Sequence, residues 1–144
     1  MRRTYSILVM FLLAASLLAQ TFEQLKAEAG REGSNQAKAS AEVAEQLVPV
    51  ADKQFSEGQS VTGHQTVEEI LKYATQARDL AIKNRKKMKE TEIHLRRCRH
   101  ALENMRRTLA AEDRPPVQAV EKKLEQFGED ILEAMFAPPK KEQK

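Results

Sequence analysis

The chain has 144 residues, of which 41% are hydrophobic, 5% aromatic and 31% charged, with a formal net charge of +3. Few aromatic residues and many charges are typical of long amphipathic helices and exclude a broad sheet-based core. A single cysteine excludes an intrachain disulfide framework and a cysteine-rich zinc site.

The N-terminus has the pattern of a secretory signal peptide. Arg2 and Arg3 precede an apolar run from Ile7 to Ala19, which is shorter than the ~20 residues that a membrane-spanning helix needs. We therefore expect cleavage of residues 1–19 and export to the periplasm or the extracellular space, with no stable transmembrane span afterwards. An uncleaved N-terminal anchor is the alternative. Cleavage leaves 22 of the 24 basic residues against 21 acidic ones, a net charge of +1.

Residues 20–65 predict a weaker N-terminal helical segment. After a short pattern that glycines interrupt, Ser34 is in position to cap a helix that we expect to end at Val48, before Pro49. The inner face of this helix is small and weakly hydrophobic. Its members are Ala37, Ala41, Ala44 and Val48. The polar, glycine-containing sequence of residues 56–65 predicts a flexible loop.

Residues 66–112 predict one long helix. Thr66 and Glu69 form a capping box at its start, and apolar residues then recur in steps of three and four. The two sets are Val67, Ala74, Ala81, Met88, Leu95, Leu102 and Leu109, and Ile70, Ala77, Asn84, Thr91, Cys98 and Met105. A sustained 3.5-residue repeat predicts a coiled-coil seam. The polar Asn84 and Thr91 within it either fix its register or mark a junction between two packing partners.

A second helix is predicted over residues 114–136. Asp113 is positioned as its N-cap, and a Pro-Pro pair fits its first turn. The expected neighbours across the resulting hairpin are Val117 with Leu109, Leu124 with Leu102, Phe127 with Cys98 and Ile131 with Leu95. The predicted fold is all-α, with an antiparallel coiled-coil hairpin of long helices over residues 66–136, the weaker N-terminal segment, and a disordered tail over residues 137–144.

The shorter helix of this hairpin ends before it can cover residues 66–89. Either residues 20–48 fold back on that half or a second chain covers it, and the Ala-rich face of residues 20–48 is a weak partner that we expect to open easily. This half is therefore our candidate surface for a protein partner or for self-association. The residues are Val67, Ile70, Leu71, Tyr73, Leu80, Lys83, Arg85, Lys86 and Lys87.

Ten lysines and arginines and only three acidic residues occur between Lys83 and Arg107. One interpretation is an anionic partner, such as phospholipid headgroups, lipopolysaccharide or an acidic client protein. The other is a solvated face that the acidic segments 20–65 and 113–136 partly neutralise. Nucleic acid is disfavoured, because the chain has an export signal and lacks interleaved aromatic residues for base stacking.

The sequence contains no catalytic or cofactor-binding pattern. Cys98 lies on the seam, where we expect a buried thiol, and an intermolecular disulfide or a reactive thiol is the alternative. His94 lies four residues before Cys98, so the two residues share a helical side and supply at most two metal ligands, whereas a structural zinc site needs four. We therefore expect a non-enzymatic protein with no cofactor and no metal site.

The stretch from Thr91 to Val117, with its Glu-Asp-Arg-Pro-Pro turn, resembles part of uncharacterised exported helical proteins of bacteria. The layout of signal peptide, small size and basic helical hairpin is similar to Skp-type periplasmic chaperones, although this chain has no strand segments for their small β-rich body. From the sequence as a whole we expect an exported, non-enzymatic interaction or scaffold protein of the bacterial envelope. The alternatives are a holdase-type chaperone or sensor that binds unfolded or anionic clients, and a metal-binding protein.

Overall fold

The computed structural model describes residues 21–138, and this part of the chain is a bundle of five α-helices. The helices are α1 (residues 21–30), α2 (Gln36–Ser56), α3 (Ser60–Asn84), α4 (Met88–Thr108) and α5 (Arg114–Phe136), with a 3₁₀ turn at Ala111–Asp113. No strand occurs in residues 21–138, so the all-α prediction is confirmed. Within the same residues, no helix combines the length and hydrophobicity that crossing a bilayer requires.

Two predictions for the chain ends concern residues that are largely outside the described part. The expected signal peptide, residues 1–19, lies there entirely, and so do residues 139–144 of the expected tail. Residues 137–138 follow α5 without helical structure.

Two helical hairpins lie side by side in the bundle. α2 packs on α3 and α4 packs on α5, while α2 also contacts α4 and α3 also contacts α5. Three contacts between the hairpins join residues that are 52 positions apart. They are Arg78 with Asp130 (3.0 Å), Arg85 with Ala137 (3.1 Å) and His94 with Glu42 (3.1 Å). Because this separation stays constant along the bundle, α2 runs parallel to α4 and α3 runs parallel to α5.

α2 covers the first half of the predicted seam from within the same chain. It buries the predicted small face, and α3 buries Val67, Ile70, Ala74, Ala77 and Ala81. Gln76 of α3 donates from Nε2 to the carbonyl of Ala29 (2.7 Å) and to the hydroxyl of Ser40 (2.9 Å). This one side chain therefore connects α1, α2 and α3.

The prediction of one unbroken helix over residues 66–112 is wrong, because the chain turns at Arg85 and Lys87. Both residues have left-handed backbone conformations, with φ of 50° and 55°, which cost L-residues about 1–2 kcal/mol each. A single helix would be about 70 Å long and could not bury its whole seam, whereas two shorter helices direct the same heptad positions into one core. Asn84, expected in the seam, is exposed at the end of α3. Thr91 is buried, and its hydroxyl donates to the carbonyl of Lys87 (2.7 Å).

The predicted flexible loop over residues 56–65 is also wrong. Only residues 57–59 connect α2 to α3, and α3 already begins at Ser60. Gly63 belongs to the helix, and its lack of a side chain makes room for the ring of Phe55, since a Cβ at Gly63 would lie 2.8 Å from that ring. A glycine that resembles a loop signal in the sequence is therefore a close-packing residue.

The expected helix end at Val48 and helix start at Thr66 both lie inside helices. Pro49 is an interior residue of α2, where a proline removes one helical hydrogen bond at a cost of about 3 kcal/mol. Val48 and Ala51 on either side of it are buried, and this packing holds the helix together. The hydroxyl of Thr66 does not cap a helix but donates to Oε1 of Gln54 at 2.6 Å.

α5 begins and ends at the residues that the sequence predicts. Arg106 of α4 donates from Nε to Oε1 of Glu121 in α5 at 2.7 Å, a pairing in the predicted antiparallel register. All eight residues of the expected hairpin pairs are buried. Asp113 precedes the helix as expected, but its side chain makes no capping hydrogen bond.

Candidate functional site

One end of the bundle carries a group of exposed basic side chains. This end is formed by the last turn of α3, the first turn of α4, the connection from α1 to α2 and the last turn of α5. Five exposed side chains, Lys83, Arg85, Lys86, Lys87 and Lys89, form what we call the basic end. The chain terminus of α5 is tied to it, because Nη2 of Arg85 donates to the carbonyl of Ala137 at 3.1 Å.

Most of the basic end has no ion-pair partner within residues 21–138. The exception is Lys87, whose Nζ lies 3.6 Å from Oε1 of Glu90. A backbone hydrogen bond in the first turn of α4 lowers the pKa of the Glu90 carboxyl, and Lys87 and Lys38 lower it further. Glu90 is the one carboxylate within residues 21–138 that forms an ion pair with the basic end.

The shortest ion pairs made by the lysines and arginines of the basic stretch lie elsewhere on α4. Arg106 pairs with Glu121 at 2.7 Å, and this hydrogen bond raises the pKa of the guanidinium. Arg107 pairs with Glu103 at 2.7 Å, and the arginine lowers the pKa of that carboxyl. The basic stretch from Lys83 to Arg107 is therefore divided into a partly neutralised helix face and an end that is almost unpaired.

The structure separates the candidate partner surface into an apolar and a basic part. Val67 and Ile70 are 2% and 0% exposed, so they belong to the core of the folded protein and not to its surface. Leu71, Tyr73 and Leu80 are half-buried against the same core. The four basic members are all exposed and belong to the basic end. The first of the two covers that the sequence leaves open, residues 20–48 of the same chain, is the one in the structure, where α2 packs on α3.

A recess of about 400 Å³ opens beside the basic end. It is lined by Gly33 and Ser34 from the α1–α2 connection and by Asn84 and Lys86 from the α3–α4 turn. The serine hydroxyl, the asparagine amide and the lysine ammonium can all donate hydrogen bonds to an anionic oxygen. None of the four lining residues is acidic, so the recess suits an anionic group such as a phosphate.

His94 connects α2 to α4. Its Nδ1 lies 2.6 Å from Oε2 of Glu45, and its Nε2 lies 3.1 Å from Oε1 of Glu42. The histidine that the sequence grouped with Cys98 as a possible metal ligand thus contacts two carboxylates of α2.

Cys98 is a free thiol buried in the core, as predicted. Burial raises the pKa of this thiol strongly, and the nearby carboxylate of Glu45 adds to the shift. A thiol in this state is a weak nucleophile. Among residues 21–138, no group of three or more His, Cys, Asp or Glu side chains is placed to hold a metal ion.

Asp113 organises the end of the bundle opposite the basic end. Its carboxylate accepts a hydrogen bond from Oγ of Ser60 (3.2 Å) and contacts Nε2 of His64 (2.8 Å). The serine faces the carboxylate and not the imidazole, so the three residues do not form a nucleophile and base pair. Nδ1 of His64 is buried without a hydrogen-bond partner, and its ring packs edge-on against Phe55. Sequence analysis missed this cluster because Ser60 and His64 lie 53 and 49 positions from Asp113.

The chain matches no known protein family, no curated protein and no solved structure. The resemblance of residues 91–117 to exported helical proteins, and of the layout to Skp-type chaperones, therefore stays a prediction from the sequence. The basic end and its recess are defined by the geometry of the described residues alone.

Proposed function

We propose that this protein is an exported, non-enzymatic interaction or scaffold protein of the bacterial envelope, and that it binds an anionic partner through the basic end. The observation that carries the proposal is the grouping of five exposed cations at one end with a single paired carboxylate, Glu90. Like charges at such close spacing repel one another. An anionic partner offsets this repulsion and gains from the field of the whole cluster.

The carboxylates of α2 and α5 that form ion pairs do not pair with the basic end. The carboxylates of α5 that form ion pairs, Glu121 and Asp130, contact Arg106 and Arg78. In α2, Glu42 and Glu45 contact His94, and Glu42 also pairs with a lysine of its own helix. The interpretation of the basic stretch as a solvated, internally balanced face therefore fits much of α4 and leaves the basic end unexplained.

A holdase function would require an open apolar groove along residues 66–89. α2 packs on this part of the chain, and Val67 and Ile70 are buried. An unfolded client could reach these residues only after α2 separated from α3. The cations of the basic end are exposed without any such opening. We therefore propose binding of an anionic partner and not a holdase function.

Export is the part of the proposal that rests on the N-terminal pattern alone. If the signal is cleaved after Ala19, the exported chain begins at Gln20. Mass spectrometry of the protein produced with its own N-terminus checks this and distinguishes cleavage from an uncleaved anchor.

Binding of the processed chain, residues 20–144, to heparin as a soluble polyanion tests the function of the basic end. The basic-end variant combines Lys83→Gln, Arg85→Gln, Lys86→Gln, Lys87→Gln and Lys89→Gln. We expect the wild type to be retained on immobilised heparin and the basic-end variant to elute at a much lower salt concentration, because the clustered charge is lost.

A charge-matched control variant tests whether the change in elution depends on the position of the lost charges or only on their number. It combines Arg96→Gln, Arg97→Gln, Arg107→Gln, Lys122→Gln and Lys123→Gln, all at exposed positions away from the basic end. Both variants lose the same formal charge, and circular dichroism checks that both remain helical. Earlier elution of the basic-end variant than of the control supports the proposal. Equal elution of the two variants, or no retention of the wild type, contradicts it.

A further inference from the structure

An apolar ring lies beside the basic end. Phe136, the last residue of α5, is 84% exposed. The next residue, Ala137, accepts the hydrogen bond from Arg85, so the phenylalanine and the cations belong to the same end of the molecule. Leu132, one helical turn before Phe136 and on the same face of α5, is 41% exposed. An exposed apolar pair next to a cluster of cations is the composition of a membrane-interface anchor.

The sequence that follows the described residues is also basic. The sequence after Pro138 contains Lys140, Lys141 and Lys144 and one glutamate. Pro138, the last described residue, directly follows the residue that Arg85 contacts. Clusters of four to eight basic residues are typical of segments that bind anionic lipid headgroups.

The recess between the α1–α2 connection and the α3–α4 turn offers donors for a headgroup phosphate. Ser34, Asn84 and Lys86 line it, and its volume of about 400 Å³ leaves room for a phosphate group and its neighbours. Arg85 and Lys87 hold left-handed backbone conformations on the same turn. Strained residues of this kind are found where a local geometry serves binding.

We propose that the anionic partner of the basic end is the surface of a phospholipid bilayer, with headgroup phosphates bound by the basic end and the recess and with Phe136 inserted at the interface. This inference rests on the proposed function. An acidic protein would account for the cations, but a bilayer also accounts for the exposed ring beside them. α1 runs parallel to α3, as its contacts of Lys26 with Glu69 and of Ala29 with Gln76 show. Thr21, the first described residue, therefore lies away from the basic end.

Sedimentation with lipid vesicles tests this inference on the processed chain. The vesicles consist of phosphatidylcholine alone or of phosphatidylcholine mixed with phosphatidylglycerol. We expect wild type to bind the mixed vesicles and not the neutral ones. The basic-end variant should lose roughly a hundredfold or more in apparent affinity, while the charge-matched control keeps most of it.

Two serine variants distinguish the contribution of the Phe136 ring to vesicle binding from that of the charge of the basic end. Phe136→Ser should weaken binding to the mixed vesicles roughly tenfold and leave elution from heparin unchanged. Val61→Ser removes a side chain that is 75% exposed at the opposite end, and should change neither measurement. Equal effects of the two serine variants on vesicle binding would contradict insertion of Phe136.

The outcomes distinguish this inference from the function on which it rests. Retention on heparin through the basic end without binding to mixed vesicles overturns the bilayer proposal and leaves an acidic protein or polymer as the partner. Equal binding to neutral and mixed vesicles also overturns it. Failure of both heparin and vesicle binding overturns the proposed function itself.

Discussion

Two of the three histidines, His94 and His100, differ in their exposure and in the carboxylates that they contact. His94 lies between Glu42 and Glu45, and its side chain is only 17% exposed. His100 is 57% exposed and lies 3.7 Å from Glu103 on its own helix. An ion pair within one exposed helical turn contributes little to stability, whereas a half-buried pair between two helices connects parts of the fold. His94 should therefore matter for stability and His100 should not.

We expect His94→Ala to lower the free energy of unfolding by about 1.5–3 kcal/mol. The substitution removes the donor for Glu45 and leaves two half-buried carboxylates close together, with Lys38 pairing only Glu42. His100→Ala is the matched control and should change stability by less than about 0.5 kcal/mol. Urea unfolding followed by circular dichroism measures both. Similar values for the two variants would show that the contact between α2 and α4 does not depend on His94.

At the scale of elements, the pairing of α4 with α5 is the part of the fold that the heptad pattern predicts best. Leu102 and Leu124 are 0% and 1% exposed, on facing helices. The Arg106 and Glu121 pair lies in the same register. Leu132 shares α5 with Leu124 but is 41% exposed. This contrast allows a test of packing with the same substitution at a buried and an exposed leucine.

Leu102→Asp and Leu124→Asp should each abolish most of the helical signal in circular dichroism. Each places a carboxylate without a partner in the core, which costs several kcal/mol and exceeds the margin of a small domain. Leu132→Asp should leave the spectrum and the melting temperature nearly unchanged. Wild-type melting of either buried variant would show that the register of α4 on α5 is wrong.

At the scale of the whole molecule, the question is which part of the N-terminal segment opens. The expectation that residues 20–48 open easily rests on the small size of their inner face. In the bundle, α2 packs against both α3 and α4, and its alanines are buried with them. α1 is short and buries fully only Ala29, whose carbonyl accepts hydrogen bonds from Gln76 and Gln36. The weakly held part should therefore end near Gly30 and not at Val48.

Hydrogen exchange should be much faster in residues 21–30 than in α2, whose protection should approach that of α4. Gln76→Ala should increase exchange further in α1, because it removes the hydrogen bonds to Ala29 and Ser40. Gln126→Ala, which removes an exposed contact with Asp130, is the control and should leave α1 unchanged. Exchange in α2 as fast as in α1 would show that the weakly held part extends to Val48. Residues 66–89 would then again be a candidate binding surface.

The sequence by itself determined the helical class, the extent of α5 and the buried state of Cys98. These features follow from apolar spacing and from local signals such as the prolines after Asp113, which act within a few residues. A heptad pattern indicates which side of a helix is buried. In this chain the pattern continues in phase from Ala81 to Met88 across the turn, so it does not show that the helix ends there.

Only the tertiary structure decided that turn, the cover of α3 by α2, and the two carboxylate and histidine clusters. The turn contains no glycine or proline, and its left-handed residues are stabilised by the packing of four helices that the turn makes possible. The clusters join residues about 50 positions apart, where no local preference acts. The basic end arises in the same way, because reversal of the chain at Arg85 and Lys87 places a run of cations beside the end of α5.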